Sequence, residues 1–195
     1  DLLCSDAGSY GIAAVGSSCW YKFPLFIKAG SSIAAKLSVN NVVTGTANVF
    51  CILFCQPSAP DLIRVGSFVR TFGADTANSR GTLVTPGTTG EGAYTQIGSA
   101  LAEPLWFWDV GSGINDATIG NNAVIHADVA VGDASNKHLV LKDVPFPVST
   151  SEGIMKFAGS GNYGNGAVGD LVYARLQHGS ALDTDHSVAV YGVGG

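Results

Sequence analysis

A histidine and an aspartate two residues apart on one strand face can ligate a metal or orient a catalytic imidazole, and His126-Ala127-Asp128 has that spacing. The polar face of an antiparallel sheet carries the same pair, and that reading is preferred. Asp183-Thr184-Asp185-His186 is the second candidate. Carboxylates at alternate positions of a turn suit Ca²⁺, although the EF-hand glycine and distal glutamate are missing. An Asx-turn capping a hairpin accounts equally for Asp183, Asp185 and His186. Gly159, Gly161 and Gly164 match G-x-G-x-x-G, but strand-like segments flank them and no helix follows, so no dinucleotide site is expected. No G-x-S-x-G elbow occurs, and Ser9, Ser17 and Ser31 lie in loops of small residues. Trp106, Phe107 and Trp108 have the surface to stack on sugars or bases, yet a sandwich core also needs large residues. No catalytic, cofactor-binding or metal-ligating residue is assigned, no cofactor is expected, and the chain is not expected to be an enzyme.

The four cysteines add no chemistry. Cys51 and Cys55 fall on one face of an apolar run, roughly 13 Å apart if extended, too far to bridge. No second Cys/His pair completes a zinc site. Cys4 and Cys19 are free to pair, and nothing requires it.

Composition narrows the partners. Across 195 residues the net charge is −5, and only 13% of residues are charged, about half the usual share. Lys and Arg form no run, so binding nucleic acid through clustered positive charge is not expected. A weakly charged surface with 26 glycines can be buried against neighbours without desolvating many ions, which favours assembly over a monomer. The longest mostly apolar stretch, Val49 to Cys55, is far short of a bilayer span. The start at Asp1 suggests proteolytic maturation or a trimmed chain.

These residues must be positioned by strands. One domain over residues 1–195 is expected, with 1–20 an extended arm or loop and an aromatic cluster of Trp20, Tyr21, Phe23 and Phe26 after it. Ser31–Asn40 alternates as a half-buried strand, and Ala47–Cys55 is apolar on both faces, as in a central strand. Leu62–Phe72 reads as a strand or short helix, and Ala74–Gly92 as loop. Ala100–Val110 and Ala123–Val131 are strands, the second turning Ile125, Ala127, Val129 and Val131 away from Val124, His126 and Asp128. His138–Val148 puts Leu139 and Leu141 on one face, and Pro145 and Pro147 end it or hold it at an edge. Ile154–Phe157 is a short strand and Gly159–Gly169 a glycine loop; Leu171–Gln177 and Ser187–Val193 are alternating strands. About eight short strands with irregular connections favour an antiparallel sandwich or jelly roll.

The order of segments resembles the capsid jelly roll of picornavirus-like viruses (order Picornavirales) of algal, arthropod or plant hosts. Trp20–Asn40 (WYKFPLFIKAGSSIAAKLSVN) is similar to the entry into that fold's C strand, and Ala47–Pro57 (ANVFCILFCQP) to its D strand. His138–Phe157 (HLVLKDVPFPVSTSEGIMKF) resembles the G strand; Gly169–Gly179 and His186–Gly195 resemble the H and I strands. The resemblance implies an all-β, eight-stranded antiparallel jelly-roll β-sandwich. It implies a structural subunit of an icosahedral RNA virus capsid, assembled in the host cytoplasm. Partners would be copies of itself and sister capsid proteins, with the packaged RNA contacted indirectly, an unknown host receptor and no membrane span. Two other readings stand beside it. One is a secreted lectin using Trp106, Trp108 or Tyr163 as platforms, with calcium at Asp183 and Asp185. The other is a pilus or surface-fibre subunit.

Overall fold

A computed structural model describes residues 21–34, 64–74, 81–114, 123–149, 153–154, 161–178 and 186–195. The expected strand Ala47–Cys55, all four cysteines, residues 1–20 and Asp183–Asp185 lie outside these residues, as do residues 35–40 of the expected strand Ser31–Asn40.

Among the described residues there is no helix, and the strands are β1 (Phe68–Phe72), β2 (Thr82–Val84), β3 (Thr95–Gln96), β4 (Leu105–Ile114), β5 (Ala123–Gly132), β6 (Lys137–Ser149), β7 (Gly153–Ile154), β8 (Asn162–Gly166), β9 (Leu171–His178) and β10 (His186–Gly194). They form two antiparallel sheets packed as a β-sandwich, one in the order β1-β10-β4-β8 with β2 also on β10, the other in the order β3-β9-β5-β6-β7. Four of the pairs are nested one within another, with β2 on β10 and β7 on β6 added to them. β1 pairs with β10, β3 with β9, β4 with β8, and β5 with β6. Among the described residues the first strand thus pairs with the last.

Alternation explains the core. Ile125, Ala127, Val129 and Val131 of β5 meet Val172, Ala174 and Leu176 of β9 and Val188 and Val190 of β10 in the layer between the sheets. As expected, His126 and Asp128 stay out of that layer. Of the two outcomes expected at Pro145 and Pro147, a strand end or an edge, the strand does not end: β6 continues through both to Ser149. Among the described residues its side away from β5 is paired only at Val148 and Ser149, so Pro145 is not asked for a donor on that side.

Four expectations change. Residues 31–34, the described part of the expected strand Ser31–Asn40, belong to no strand. The glycine loop Gly159–Gly169 contains β8, because pairing with β4 supplies the order that its glycines lack. Residues 74–92, read as loop, contain β2 on the flank of β10. Leu139 and Leu141 do not share a face. Val129 pairs with Leu141 and Ala130 with Leu139, so Val140 is an extra residue in a β-bulge. Val140 and Leu141 are consequently both buried, whereas Leu139 is 42% exposed.

A second bulge explains the consecutive aromatics. Val193 pairs with Phe107 and Gly194 with Leu105, leaving Trp106 extra. Leu105 and Trp108 therefore enter the inter-sheet core, while Trp106 and Phe107 join Val69, Ala189, Tyr191 and Val193 in a second apolar layer. Tyr21, Phe23 and Leu25 cover that layer, with Tyr21 edge-on to Tyr191 at 4.8 Å. Of the expected aromatic cluster, Phe26 stays outside, 66% exposed. The covering segment is tied down at Gly66, whose N–H donates to the Pro24 carbonyl (2.8 Å) and whose carbonyl accepts from the Phe26 N–H (2.7 Å). A Cβ at Gly66 would stand 2.4 Å from Val193 Cγ1 and 2.6 Å from the Gly194 carbonyl oxygen. Gly66→Ala is expected to destabilise by about 1–3 kcal/mol through overpacking, measured by urea unfolding. A loss within error of zero would mean that the segment yields freely.

Candidate functional site

The mid-strand position Asp128 of β5 faces Arg175 of β9 directly in register. An aspartate only 4% exposed needs compensation, because burying a lone carboxylate is costly. Arg175 supplies it, with Nε 2.9 Å and Nη2 2.8 Å from Asp128 Oδ2. Its Nη1 lies 2.6 Å from Glu91 Oε2. The Asp143 backbone N–H donates to Asp128 Oδ1 at 2.7 Å. Asp143 reaches that position with φ at +52°, the one non-glycine left-handed residue among those described, opposite Asp128 where the β5–β6 register slips.

Aromatic rings wall the cluster. The Arg175 guanidinium lies 4.6 Å from the Tyr94 ring centre, and Lys137 Nζ lies 4.6 Å from that of Tyr173. Burial opposes the charge of Arg175, but the Asp128 hydrogen bond together with Tyr94, Asp128 and Glu91 outweighs it and raises the pKa. Burial pushes the Tyr94 phenol up, against the pull of Arg175. Carboxylate oxygens of Glu91, Asp128 and Asp143 come within 4.8 Å of one another. The guanidinium already meets two of these carboxylates, so the arrangement works as an ion-pair network.

His126 and Asp128 are thus on one strand face as expected, and Asp128 is committed to Arg175. The sequence reading did not bring Arg175, Glu91 and Tyr94 together. A signal was present: in a chain so poor in charge, Asp128 and Arg175 each sit inside an apolar alternating run, and each needs a partner.

His186 is fully buried and stacks on His178, with ring centres 6.2 Å apart, where β9 ends and β10 begins. Its expected companions Asp183 and Asp185 are outside the described residues. Trp106 and Trp108 are buried, so neither offers an open stacking face; Tyr163, 51% exposed, lies flat against Trp106. The glycines of Gly159–Gly164 do not precede a helix; Gly161 leads into β8.

A groove of about 400 Å³ lies beside the β8–β9 turn. Pro104, Leu105, Trp106 and Val168 make its apolar lining, and Arg64, His138 and Asp170 contribute polar groups. His138 Nε2 lies 2.7 Å from the Asn165 carbonyl oxygen, and Asp170 Oδ2 accepts from the Ala167 N–H at 2.8 Å.

Comparison with known proteins finds no matching family model, no matching curated protein and no matching solved structure.

Proposed function

We propose that this sandwich is an eight-stranded jelly roll and that the chain is a structural subunit of an icosahedral RNA virus capsid. The nested pairing of first strand with last carries the reading. A ribbon of eight strands paired in that way and rolled into two sheets is the jelly-roll plan, which is used by viral capsid proteins among others. In this plan β6 takes the fifth place, not the sixth that the resemblance of His138–Phe157 suggested, and β9 and β10 keep the seventh and eighth. The second strand is β3, so the described part of Trp20–Asn40, residues 21–34, is not among the eight; Tyr21, Phe23 and Leu25 pack against the Tyr191 side of the first sheet.

Composition supports the assembly role. Few charges and exposed apolar groups at Val124, Leu139, Tyr163 and Val168 suit a surface that other subunits cover. Two sheets sharing one dry core make a rigid block, and loops at its ends make the contacts. The partners are copies of this chain and sister capsid proteins, and the site of action is the virion.

The deciding experiment is light scattering with negative-stain electron microscopy of the protein from its source. Uniform icosahedral particles holding ribonuclease-sensitive nucleic acid are expected; a small monodisperse species without partner proteins would overturn the reading. Val168, 63% exposed at the β8–β9 turn, tests the interface. Val168→Asp is expected to lower particle yield severalfold while leaving the unfolding midpoint nearly unchanged, because a charge there is harmless in water and costly in a contact. Normal particle yield would remove this turn from the interface.

A further inference from the structure

We propose that two copies of this chain pair about a twofold axis, the β8–β9 turn of each entering the groove beside that turn on the other. The turn is a projection fixed by its own hydrogen bonds. Residues 167–169 are exposed, and nothing lies within 4 Å of where a Cβ would stand on Gly169. The Asp170 N–H donates to the Ala167 carbonyl at 3.1 Å, and Asp170 Oδ2 accepts from the Ala167 N–H at 2.8 Å. The Gly169 N–H donates to the Leu101 carbonyl at 2.9 Å, which ties the tip to the sandwich. Val168 is thus presented to solvent on an ordered turn, an apolar group with area to gain from a partner.

The groove is a socket of matching chemistry. About 400 Å³ is room for the tip of a turn, with apolar walls from Pro104 and Trp106 and a charged rim at Arg64. Arg64 lies over the Trp106 ring, 4.8 Å from its centre, and among the described residues it pairs with no carboxylate. Asp170 pairs with no cation there, although it lines the same groove as Arg64. Each charge is therefore open to a second chain.

A twofold contact places one residue on a second residue of the partner, and the reverse contact follows by symmetry. It needs a surface complementary to itself. Here an unpaired arginine, an unpaired aspartate, a projecting valine and a recess for it lie side by side. Entry of the turn carries Asp170 to the partner's Arg64 while Val168 meets the apolar wall, and both contacts form twice. Tyr163, exposed and flat against Trp106, extends the apolar area beside the recess. Arginine, tyrosine and tryptophan are the side chains that most often anchor such contacts. The pairing stands apart from the capsid reading, since two copies can associate without a shell.

The test is sedimentation velocity of the full chain over a concentration series, where a monomer–dimer equilibrium is expected. Arg64→Asp and Asp170→Arg each set like charges against one another across the contact and should weaken dimerisation by roughly tenfold or more. The double variant Arg64→Asp/Asp170→Arg restores opposite charges and should recover the dimer, a rescue that a contact elsewhere on the surface does not give. Asp170 also holds its own turn, so the unfolding midpoint is measured alongside. If variants at Asp170 do not fold, Arg64→Asp and Val168→Asp, both at exposed positions, carry the test, and each should shift the chain to monomer. A dimer indifferent to Arg64→Asp and Val168→Asp, or a folded double variant that stays monomeric, would overturn the proposal. A chain monomeric at every concentration would also overturn it, and would leave the groove to a different protein.

Discussion

Trp108→Ala is expected to destabilise the protein by about 3–5 kcal/mol, a large part of the roughly 5–15 kcal/mol that holds a typical domain together. Trp108 is fully buried at the centre of the inter-sheet core and stands 6.3 Å, ring centre to ring centre, from Phe72. The β4 bulge at Trp106 sets which of the neighbouring aromatics turn inward. A Cβ at Gly166 of β8 would come within 2.7 Å of the Trp108 ring, so the strand backbone is packed directly on the indole. Truncation therefore removes transfer energy and leaves a cavity that two paired sheets cannot close. It also strips the Gly164 carbonyl of its 2.8 Å donor. Trp108→Phe separates the two effects, keeping much of the ring and losing the hydrogen bond. Its expected cost is about 1–3 kcal/mol. Urea unfolding of both variants measures the difference. A cost under about 1 kcal/mol for Trp108→Ala would contradict a core centred on this residue.

Arg175→Ala is expected to cost about 3 kcal/mol, the lower end for breaking a buried ion pair, because Arg175 keeps 17% of its side chain in solvent. Most of that cost comes from Asp128, which is left buried with a charge and, among the described residues, only the Asp143 N–H to answer it. The double variant Arg175→Ala/Asp128→Ala removes the stranded charge as well. It should therefore be more stable than Arg175→Ala alone, a reversal that simple loss of packing does not produce. Arg175→Lys should recover only part of the loss, since one ammonium cannot reproduce the two contacts to Asp128 and the third to Glu91. Equal stability of the single and double variants would show that the Asp128 carboxylate is not compensated by Arg175.

The two candidate sites were unequally legible. His126 and Asp128 were paired from their spacing, since a strand returns to the same face every second residue. Their neighbours were not. Glu91 and Tyr94 precede β3, Asp143 sits in a bulge of β6, and Arg175 belongs to β9, so together with β5 four separate segments build one cluster. The groove was hidden for the same reason. Arg64 precedes β1, Trp106 lies on β4 and Val168 follows β8. The run Trp106-Phe107-Trp108 was legible as core, but not the rule by which it divides between two layers, because a bulge is a mismatch with a partner strand.

By itself the sequence determined the all-β class and the inward face of β5, because side-chain alternation is a property of a few consecutive residues. Only the tertiary structure decided that Phe68 lies beside Gly194, that the glycines of β8 form a strand, and that Val140 and Trp106 are extra residues. Register and bulges are relations between distant segments. Their free energy comes from hydrogen bonds and buried area that exist only once the two strands have met.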